Sequence, residues 1–261
     1  MYEKELSFMK TVIPQAYDAF ASGAFSVSDK AAFDIVTDAD QNMEAFLSDQ
    51  IRAAFPGDRI HAEETAFDVP LTGRTWILDP IDGTWNFAAG SPHFGVQCAL
   101  WDGDGIKAAA IYLPKLSEFY WAVEGEGCYC NGKRVWVKKR PVSHAIIAFG
   151  DLSHTSSDDA LAQKKLMEDW FDKAARYRMF GASSVDYTSL VSSRVDAVIL
   201  FTKNKWDLAA GWLLTREAGA VVLGDHGEDY SFSSRSIRVF SSRKLYLALT
   251  DGAMNPKGEC V

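Results

Sequence analysis

The spacing of apolar residues predicts two helices near the start of the chain. The first is marked by an apolar stripe at helical intervals: Leu6, Met9, Val12, Ile13, Ala16 and Phe20. The second is predicted to begin near Thr37 or Asp38 and to end at Pro56-Gly57, a pair that disrupts helices. Its buried stripe comprises Met43, Phe46, Leu47, Ile51 and Ala54.

Short apolar runs bounded by turn residues predict strands in the rest of the first half, at 59–62, 96–101, 106–113 and 119–123. The pair Asn131-Gly132 is a strong hairpin signal, and it predicts a turn between strands at 127–130 and 134–137. Helices followed by a meander of strands indicate an α+β arrangement.

Strands and helices alternate in the second half of the chain. Strands are predicted at 145–149, 176–180, 196–201 and 220–223, and helices at 158–174, 183–192 and 207–218. Such alternation is typical of an α/β layered structure. We place the boundary near residues 140–143, so that 1–142 form an α+β half and 143–261 an α/β half of one compact unit.

Composition and charge narrow the class of protein. Of the 261 residues 48% are apolar, which is enough for a large core, and the net charge of −8 argues against nonspecific nucleic-acid binding. No apolar run approaches the roughly 20 residues that span a bilayer. The chain opens on a polar segment, and its four cysteines are few and irregularly spaced. We therefore expect a soluble cytoplasmic protein with neither nucleic-acid nor membrane partners.

An apolar run at 76–78 ends in the segment Asp79-Pro80-Ile81-Asp82-Gly83-Thr84, which carries the most informative chemistry. Asp79 is predicted at the carboxyl end of a strand, where open α/β sheets bind ligands. Gly83 lets the backbone approach a ligand, and Thr84 is predicted to cap a helix whose free N–H groups attract phosphate. Two carboxylates about 4 Å apart repel by about 4 kcal/mol at an effective dielectric of 20, and Mg²⁺ would remove that conflict.

Acidic residues occur at two further positions next to the ends of predicted strands or helices. Glu63 and Glu64 follow the strand at 59–62, and Asp207 lies near the start of the helix at 207–218. Taken alone, the glutamates are typical of a solvated turn and Asp207 is typical of a helix cap.

Together these segments resemble a known family. The motif at Asp79–Thr84, the segment Trp206-Asp207-x-Ala209-Ala210-Gly211 and the pair Glu63-Glu64 are similar to elements of the inositol monophosphatase family, in the same order. Residues 34–40 resemble its upstream segment, so the resemblance covers nearly the whole chain. It implies a layered αβαβα sandwich like that of sugar phosphatases, a Mg²⁺-dependent and lithium-sensitive phosphomonoesterase, and a homodimer.

The resemblance also implies roles for individual residues. Glu63, Asp79 and the carbonyl of Ile81 would hold one Mg²⁺, and Asp79, Asp82 and Asp207 a second, so that two to three ions are expected with a weaker one beside Glu63. The Gly83 and Thr84 N–H groups would bind phosphate. Glu63 with Thr84 would orient and help deprotonate the attacking water, while Asp82 and Asp207 would lie beside the leaving oxygen of the substrate.

Lys30 matches a lysine near the metal site in some family members. As a lone residue in a polar segment, we interpret it as a surface charge.

The substrate is less well defined than the chemistry. Inositol-specific members commonly carry Glu seven residues before the second-motif aspartate, where this chain has Leu200. Asp186 matches a polyol-facing position, although a helix-surface position fits its pattern equally, and Trp85 is predicted to reshape the pocket rim. We expect a small polyol or sugar phosphate as substrate, with histidinol phosphate, fructose bisphosphate and nucleotide 3′-phosphates as alternatives.

Two other classes of protein are considered. Haloacid dehalogenase phosphatases place Asp-x-Asp-Gly at a strand end, but here the spacing from Asp79 to Asp82 is one residue longer. A regulatory protein could keep this fold without turnover, although every implied metal ligand is present in the sequence.

Overall fold

A computed structural model describes residues 2–65, 71–152 and 156–250. The helices are α1 (Glu3–Phe20), α2 (Asp38–Ala54), α3 (Thr84–Ala88), α4 (Ser157–Asp169), α5 (Ser183–Val191), α6 (Lys205–Glu217) and α7 (Arg243–Leu249). The strands of the first half are β1 (Val27–Ala31), β2 (Asp34–Thr37), β3 (Arg59–Ala62), β4 (Arg74–Asp82), β5 (Gly95–Asp102), β6 (Gly105–Leu113), β7 (Glu118–Val123), β8 (Gly127–Cys130) and β9 (Lys133–Val135). Those of the second half are β10 (Ile146–Phe149), β11 (Arg176–Arg178), β12 (Ala197–Leu200), β13 (Val221–Leu223) and β14 (Ile237–Phe240).

The larger sheet follows the chain order β3-β4-β5-β6-β7-β8-β9. Only the β3–β4 pair is parallel, and the remaining strands form the predicted antiparallel meander. Trp76 and Leu78 share a buried cluster with α1 and α2, whereas Ile77 belongs to the cluster that includes α5 and α6. Because side chains alternate along a strand, both faces of this sheet are covered by helices.

The smaller sheet has the order β11-β10-β12-β14-β13. Strand β10 runs parallel to β11 and β12, and β14 is antiparallel to its neighbours β12 and β13. Val198 packs toward α5 and α6, while Ala197 and Ile199 pack in the cluster that includes α7. Partly buried residues of α4 join that same cluster.

The layers therefore alternate as α1 and α2, the larger sheet, α5 and α6, the smaller sheet, and α4 with α7. This is the layered αβαβα sandwich that the sequence predicted. The division into halves at residue 142 remains a prediction, and the central cluster contains residues such as Ile77 and Val198 from both halves. Among the described residues, no helix has the length and apolar character needed to cross a membrane.

Several elements differ from the sequence-based predictions. Helix α4 ends at Asp169 with Trp170 as its C-cap, so the predicted extension to 174 is wrong. The hairpin β1–β2, strand β14 and helix α7 were not predicted. Strand β1 is mostly exposed and therefore lacks an apolar alternation from which it could have been recognised.

Candidate active site

The centre of the site is a cluster of three carboxylates. Asp79 and Asp82 lie at the end of β4, and Asp207 lies in the first turn of α6. One carboxylate oxygen from each residue falls within 4.8 Å of the other two. Residues three apart in a regular strand face opposite sides, but the pairing of β4 with β5 is irregular between Asp79 and Asp82. This irregularity explains how two aspartates three apart reach one cluster.

Asp82 is held by the start of α5. Its Oδ1 accepts hydrogen bonds from the backbone N–H of Ser183 at 3.2 Å and from the hydroxyl of Ser183 at 3.1 Å. Its Oδ2 accepts one from the N–H of Ser184 at 2.6 Å. Burial raises the pKa of Asp82, while these hydrogen bonds oppose the rise because they stabilise the ionised form. No individual role was predicted for either serine.

Fewer hydrogen bonds stabilise the ionised carboxylates of Asp79 and Asp207. Asp79 is buried, and its Oδ1 has no hydrogen-bond partner among the described residues. Burial raises the pKa of Asp79 well above its usual range, and the charges of Glu63, Asp82 and Asp207 raise it further. Burial and the charge of Asp82 raise the pKa of Asp207 to about 7, against a 2.9 Å hydrogen bond that its Oδ2 accepts from Thr202. The cluster thus offers several oxygen atoms as metal ligands and has little positive charge beside it.

Lys30 lies beside the acidic turn and not at the free surface, so its interpretation as a surface charge is wrong. It projects from β1, and its Nζ donates to Glu63 Oε1 at 3.2 Å and to Glu64 Oε1 at 2.9 Å. Its side chain is only 22% exposed. Burial raises the pKa of Glu63 to about 8; Lys30 opposes this rise, while the charges of Asp207 and Glu64 add to it.

Thr84 begins α3 but does not cap it. The N-cap is Gly83, whose φ of 89° lies in the left-handed region, so the predicted capping role of Thr84 is wrong. The Thr84 hydroxyl instead points toward the Ile81 carbonyl oxygen at 3.1 Å and toward Asp40 Oδ1 at 3.3 Å. A Cβ on Gly83 would lie 2.8 Å from the Cβ of Ala182, the N-cap residue of α5, so the protein itself requires glycine here. The predicted approach of this backbone to a ligand remains a prediction.

Asp40 is a site residue that the sequence analysis did not identify. It is fully buried, and its Oδ2 accepts hydrogen bonds from both the backbone N–H and the hydroxyl of Thr37, in a capping box at the start of α2. Burial raises the pKa of Asp40 to about 6, against the hydrogen bonds from Thr37. The spacing Thr37-x-x-Asp40 could have identified the cap, but the contact with Thr84 depends on the tertiary fold.

A cavity of about 190 Å³ adjoins the cluster and is lined by Asp82, Asp207, Asp151, Asp186 and Leu200 among others. Asp186 is fully buried, so its alternative position on the helix surface is wrong. Burial raises the pKa of Asp186 well above its usual range, and the charges of Asp82 and Asp151 raise it further. Asp151 was not identified from the sequence.

Trp85 is the second residue of α3, and it is 59% exposed. Its indole N–H donates to the backbone oxygen of Phe33, at 3.3 Å, in the connection between β1 and β2. The predicted effect of Trp85 on the pocket rim remains a prediction.

Several known proteins are similar to this chain in sequence and in the arrangement of helices and strands. Residues 5–253 match the model described as the inositol monophosphatase family. A Thermotoga maritima protein named fructose-1,6-bisphosphatase/inositol-1-monophosphatase is 32% identical over 222 residues, covering 85% of this chain and 83% of that protein. The Nus factor SuhB of Haemophilus influenzae is 34% identical over 217 residues, covering 82% and 81%. The structure of the extragenic suppressor protein suhB from Bartonella henselae superposes with a TM-score of 0.85 at 26% identity, covering 96% and 100%.

Proposed function

Because this chain belongs to the inositol monophosphatase family, we propose that it is a Mg²⁺-dependent phosphomonoesterase acting on a small polyol or sugar phosphate. The observation that carries the proposal is the approach of Asp79, Asp82 and Asp207 to within 4.8 Å of one another. Family membership also removes the support for a haloacid dehalogenase mechanism with a phosphorylated Asp79.

The donor set fits a hard divalent cation. The three carboxylates are oxygen ligands, and the buried Oδ1 of Asp79 lacks a hydrogen-bond partner among the described residues. In the proposal, Asp79 with Glu63 and the Ile81 carbonyl holds one Mg²⁺, and Asp79 with Asp82 and Asp207 holds another. When bound, Mg²⁺ would supply Lewis-acid chemistry and compensate negative charge on phosphate.

The chain's own groups would position the reactants. The N–H groups of Gly83, the N-cap, and Thr84, the first residue of α3, are proposed to bind a phosphate oxygen, because the first N–H groups of a helix have no partner within it. The Thr84 hydroxyl lies beside two acceptors, the Ile81 carbonyl oxygen and Asp40, so it can donate its proton to one of them and accept a hydrogen bond from an attacking water. Glu63 is proposed to share the deprotonation of that water.

The substrate class is proposed from the surroundings of the carboxylates. Asp82 and Asp207 line the adjoining cavity as well as the cluster, so a leaving group bound there would lie beside both. A related protein is named for fructose 1,6-bisphosphate and inositol 1-phosphate phosphatase activities, which supports a sugar or polyol ester. Histidinol phosphate and nucleotide 3′-phosphates remain alternatives.

The proposal is tested by phosphate release from a panel of esters with and without Mg²⁺. The panel contains inositol 1-phosphate, glycerol 2-phosphate, fructose 1,6-bisphosphate, histidinol phosphate and adenosine 3′,5′-bisphosphate. We expect Mg²⁺-dependent turnover that Asp82→Asn and Asp207→Asn each lower by orders of magnitude, with folding verified by circular dichroism. Near-normal activity in either folded variant would contradict the metal assignment.

A regulatory role is the second candidate function. A relative covering most of the chain is named a Nus factor, which favours this alternative over other non-catalytic roles. Negligible turnover on the whole panel with Mg²⁺ bound, together with retained binding to a partner protein, would support it. Lithium sensitivity, a homodimeric state, a cytoplasmic location and the lack of a nucleic-acid partner stay predictions.

A further inference from the structure

The cavity beside the carboxylate cluster is lined by more acidic side chains than the proposed metal sites include. Its lining includes four aspartates, of which Asp82 and Asp207 are candidate metal ligands and Asp151 and Asp186 are not. Among the described residues that line the cavity there is no lysine, arginine or histidine. No described side chain that lines the cavity therefore supplies positive charge to Asp151 and Asp186.

Of these two aspartates, Asp186 has the greater need of a partner. It is fully buried, and neither of its carboxylate oxygens has a hydrogen-bond partner among the described residues. At the start of α5, the N–H groups of Ser183 and Ser184 donate to Asp82, and that of Asp186 donates to the carbonyl oxygen of Ala182. A buried carboxylate without donors is costly, so the folded protein leaves this group in need of a cation or a proton.

Asp151 enters the cavity because of the strand order. It follows β10 by two residues, and β10 is the parallel neighbour of β12, which ends at Leu200. The carboxyl ends of these strands meet at one sheet edge, the place where such sheets bind ligands. Leu200 is buried there, and a Cβ on Gly150 would lie 2.8 Å from its Cδ2.

Inositol-specific family members commonly carry Glu at the position of Leu200, whereas here Asp151, which follows the adjacent strand β10, brings a carboxylate to the same cavity. Leu200 packs closely against Gly150. Asp151, which follows Gly150 in the chain, is exposed and lines the cavity. A neutral hydroxyl could donate a hydrogen bond to one aspartate but would compensate no negative charge. An ammonium group carries three donors and a positive charge, which suits a site with two carboxylates.

We propose that Asp151 and Asp186 form a subsite for a primary amine on the leaving group, so that the preferred substrates are amine-bearing phosphate esters. This inference rests on the proposed phosphatase function and specifies its substrate class. It distinguishes amino sugar and amino alcohol phosphates from neutral polyol phosphates of the same size.

The test compares glucosamine 6-phosphate with glucose 6-phosphate, which differ in one amine. The ratio of their kcat/KM values, amine over neutral, is measured for the wild type and for Asp151→Asn, which removes charge at constant volume. Asp49→Asn, whose side chain is 75% exposed on α2, controls for the change in net charge. We expect a ratio of about ten or more in the wild type and in the control, since hydrogen bonds between charged groups contribute at this level. In Asp151→Asn the ratio should approach one.

A ratio near one in the wild type, or an equal ratio in Asp151→Asn and Asp49→Asn, would overturn the subsite while leaving the phosphatase proposal standing. Isothermal titration calorimetry of both esters with the Ca²⁺-loaded wild-type protein provides a readout that does not need turnover. If neither ester releases phosphate, turnover on the ester panel described above decides the proposed function, and the calorimetric preference decides the subsite. Tighter binding of the amine ester, weakened in Asp151→Asn, supports it, and equal binding overturns it.

Discussion

The hydroxyl of Ser183 lies 3.1 Å from Oδ1 of Asp82, and this contact joins α5 to the candidate metal ligand at the end of β4. The same hydroxyl lies 2.9 Å from the carbonyl oxygen of Asp207 and accepts a 2.7 Å hydrogen bond from Gln97 Nε2. One side chain therefore links residues from the larger sheet with the start of α6.

Replacing Ser183 by alanine should weaken metal binding more than it lowers stability. The substitution removes a hydrogen bond that orients Asp82, and groups that orient metal ligands typically contribute about tenfold or more to affinity. We expect the Mg²⁺ concentration for half-maximal activity to rise about tenfold, with about 1 kcal/mol lost in the free energy of unfolding. Ser192→Ala is the control, since among the described residues its hydroxyl bonds only to the carbonyls of Thr188 and Ser189 in α5. Equal effects in both variants would contradict the prediction.

Replacing Thr84 by alanine should lower turnover more than substrate affinity. Its hydroxyl faces Asp40 and can orient an attacking water, a role expressed in the transition state. We expect kcat to fall about a hundredfold with KM little changed, and Thr84→Ser to recover most of the loss. A change confined to KM would make Thr84 a substrate-binding residue.

Replacing Gly83 by alanine should be more damaging than the same change at Gly90. Both residues have positive φ, 89° and 73°, so both variants bear backbone strain. A Cβ at Gly83 would lie 2.8 Å from Ala182, whereas a Cβ at Gly90 meets nothing within 4 Å. We expect urea denaturation to show at least about 1 kcal/mol more destabilisation for Gly83→Ala. Equal losses would mean that the α3–α5 contact can relax.

The metal-free protein should lose stability as pH rises from 5 to 8. Burial raises the pKa values of Asp40, Asp207 and Glu63 to about 6, 7 and 8, so the folded state holds these protons more tightly than the unfolded state does. Their contribution to stability is present at low pH and is lost as pH passes through those values.

The measurement is the melting temperature in EDTA and in saturating Mg²⁺ across that range. We expect a decline in EDTA and a much smaller decline or a rise in Mg²⁺, because metal ions bind ionised carboxylates. Parallel curves under the two conditions would show that the ion does not contact these groups.

Local patterns predicted the elements that carry the carboxylates. The strand at 59–62 was located at its observed bounds, and the Asp79–Asp82 spacing with Gly83 indicated a strand end followed by a helix. These features depend on residues close in sequence, which is where propensity and turn chemistry act.

Contacts between distant segments could not be derived in this way. Lys30 was interpreted as a surface charge because β1 is polar and mostly exposed, yet the hairpin places it against Glu63. Asp151 enters the cavity only because β10 and β12 are neighbours, an order that the sequence leaves open. The contact between Asp40 and Thr84 likewise joins residues 44 positions apart.

The Lys30 ammonium lies between Glu63 and Glu64 and donates to both carboxylates. If Glu63 is a metal ligand, as proposed, a divalent ion would compete with this resident cation for the carboxylate. Metal binding would then have the character of an ion exchange.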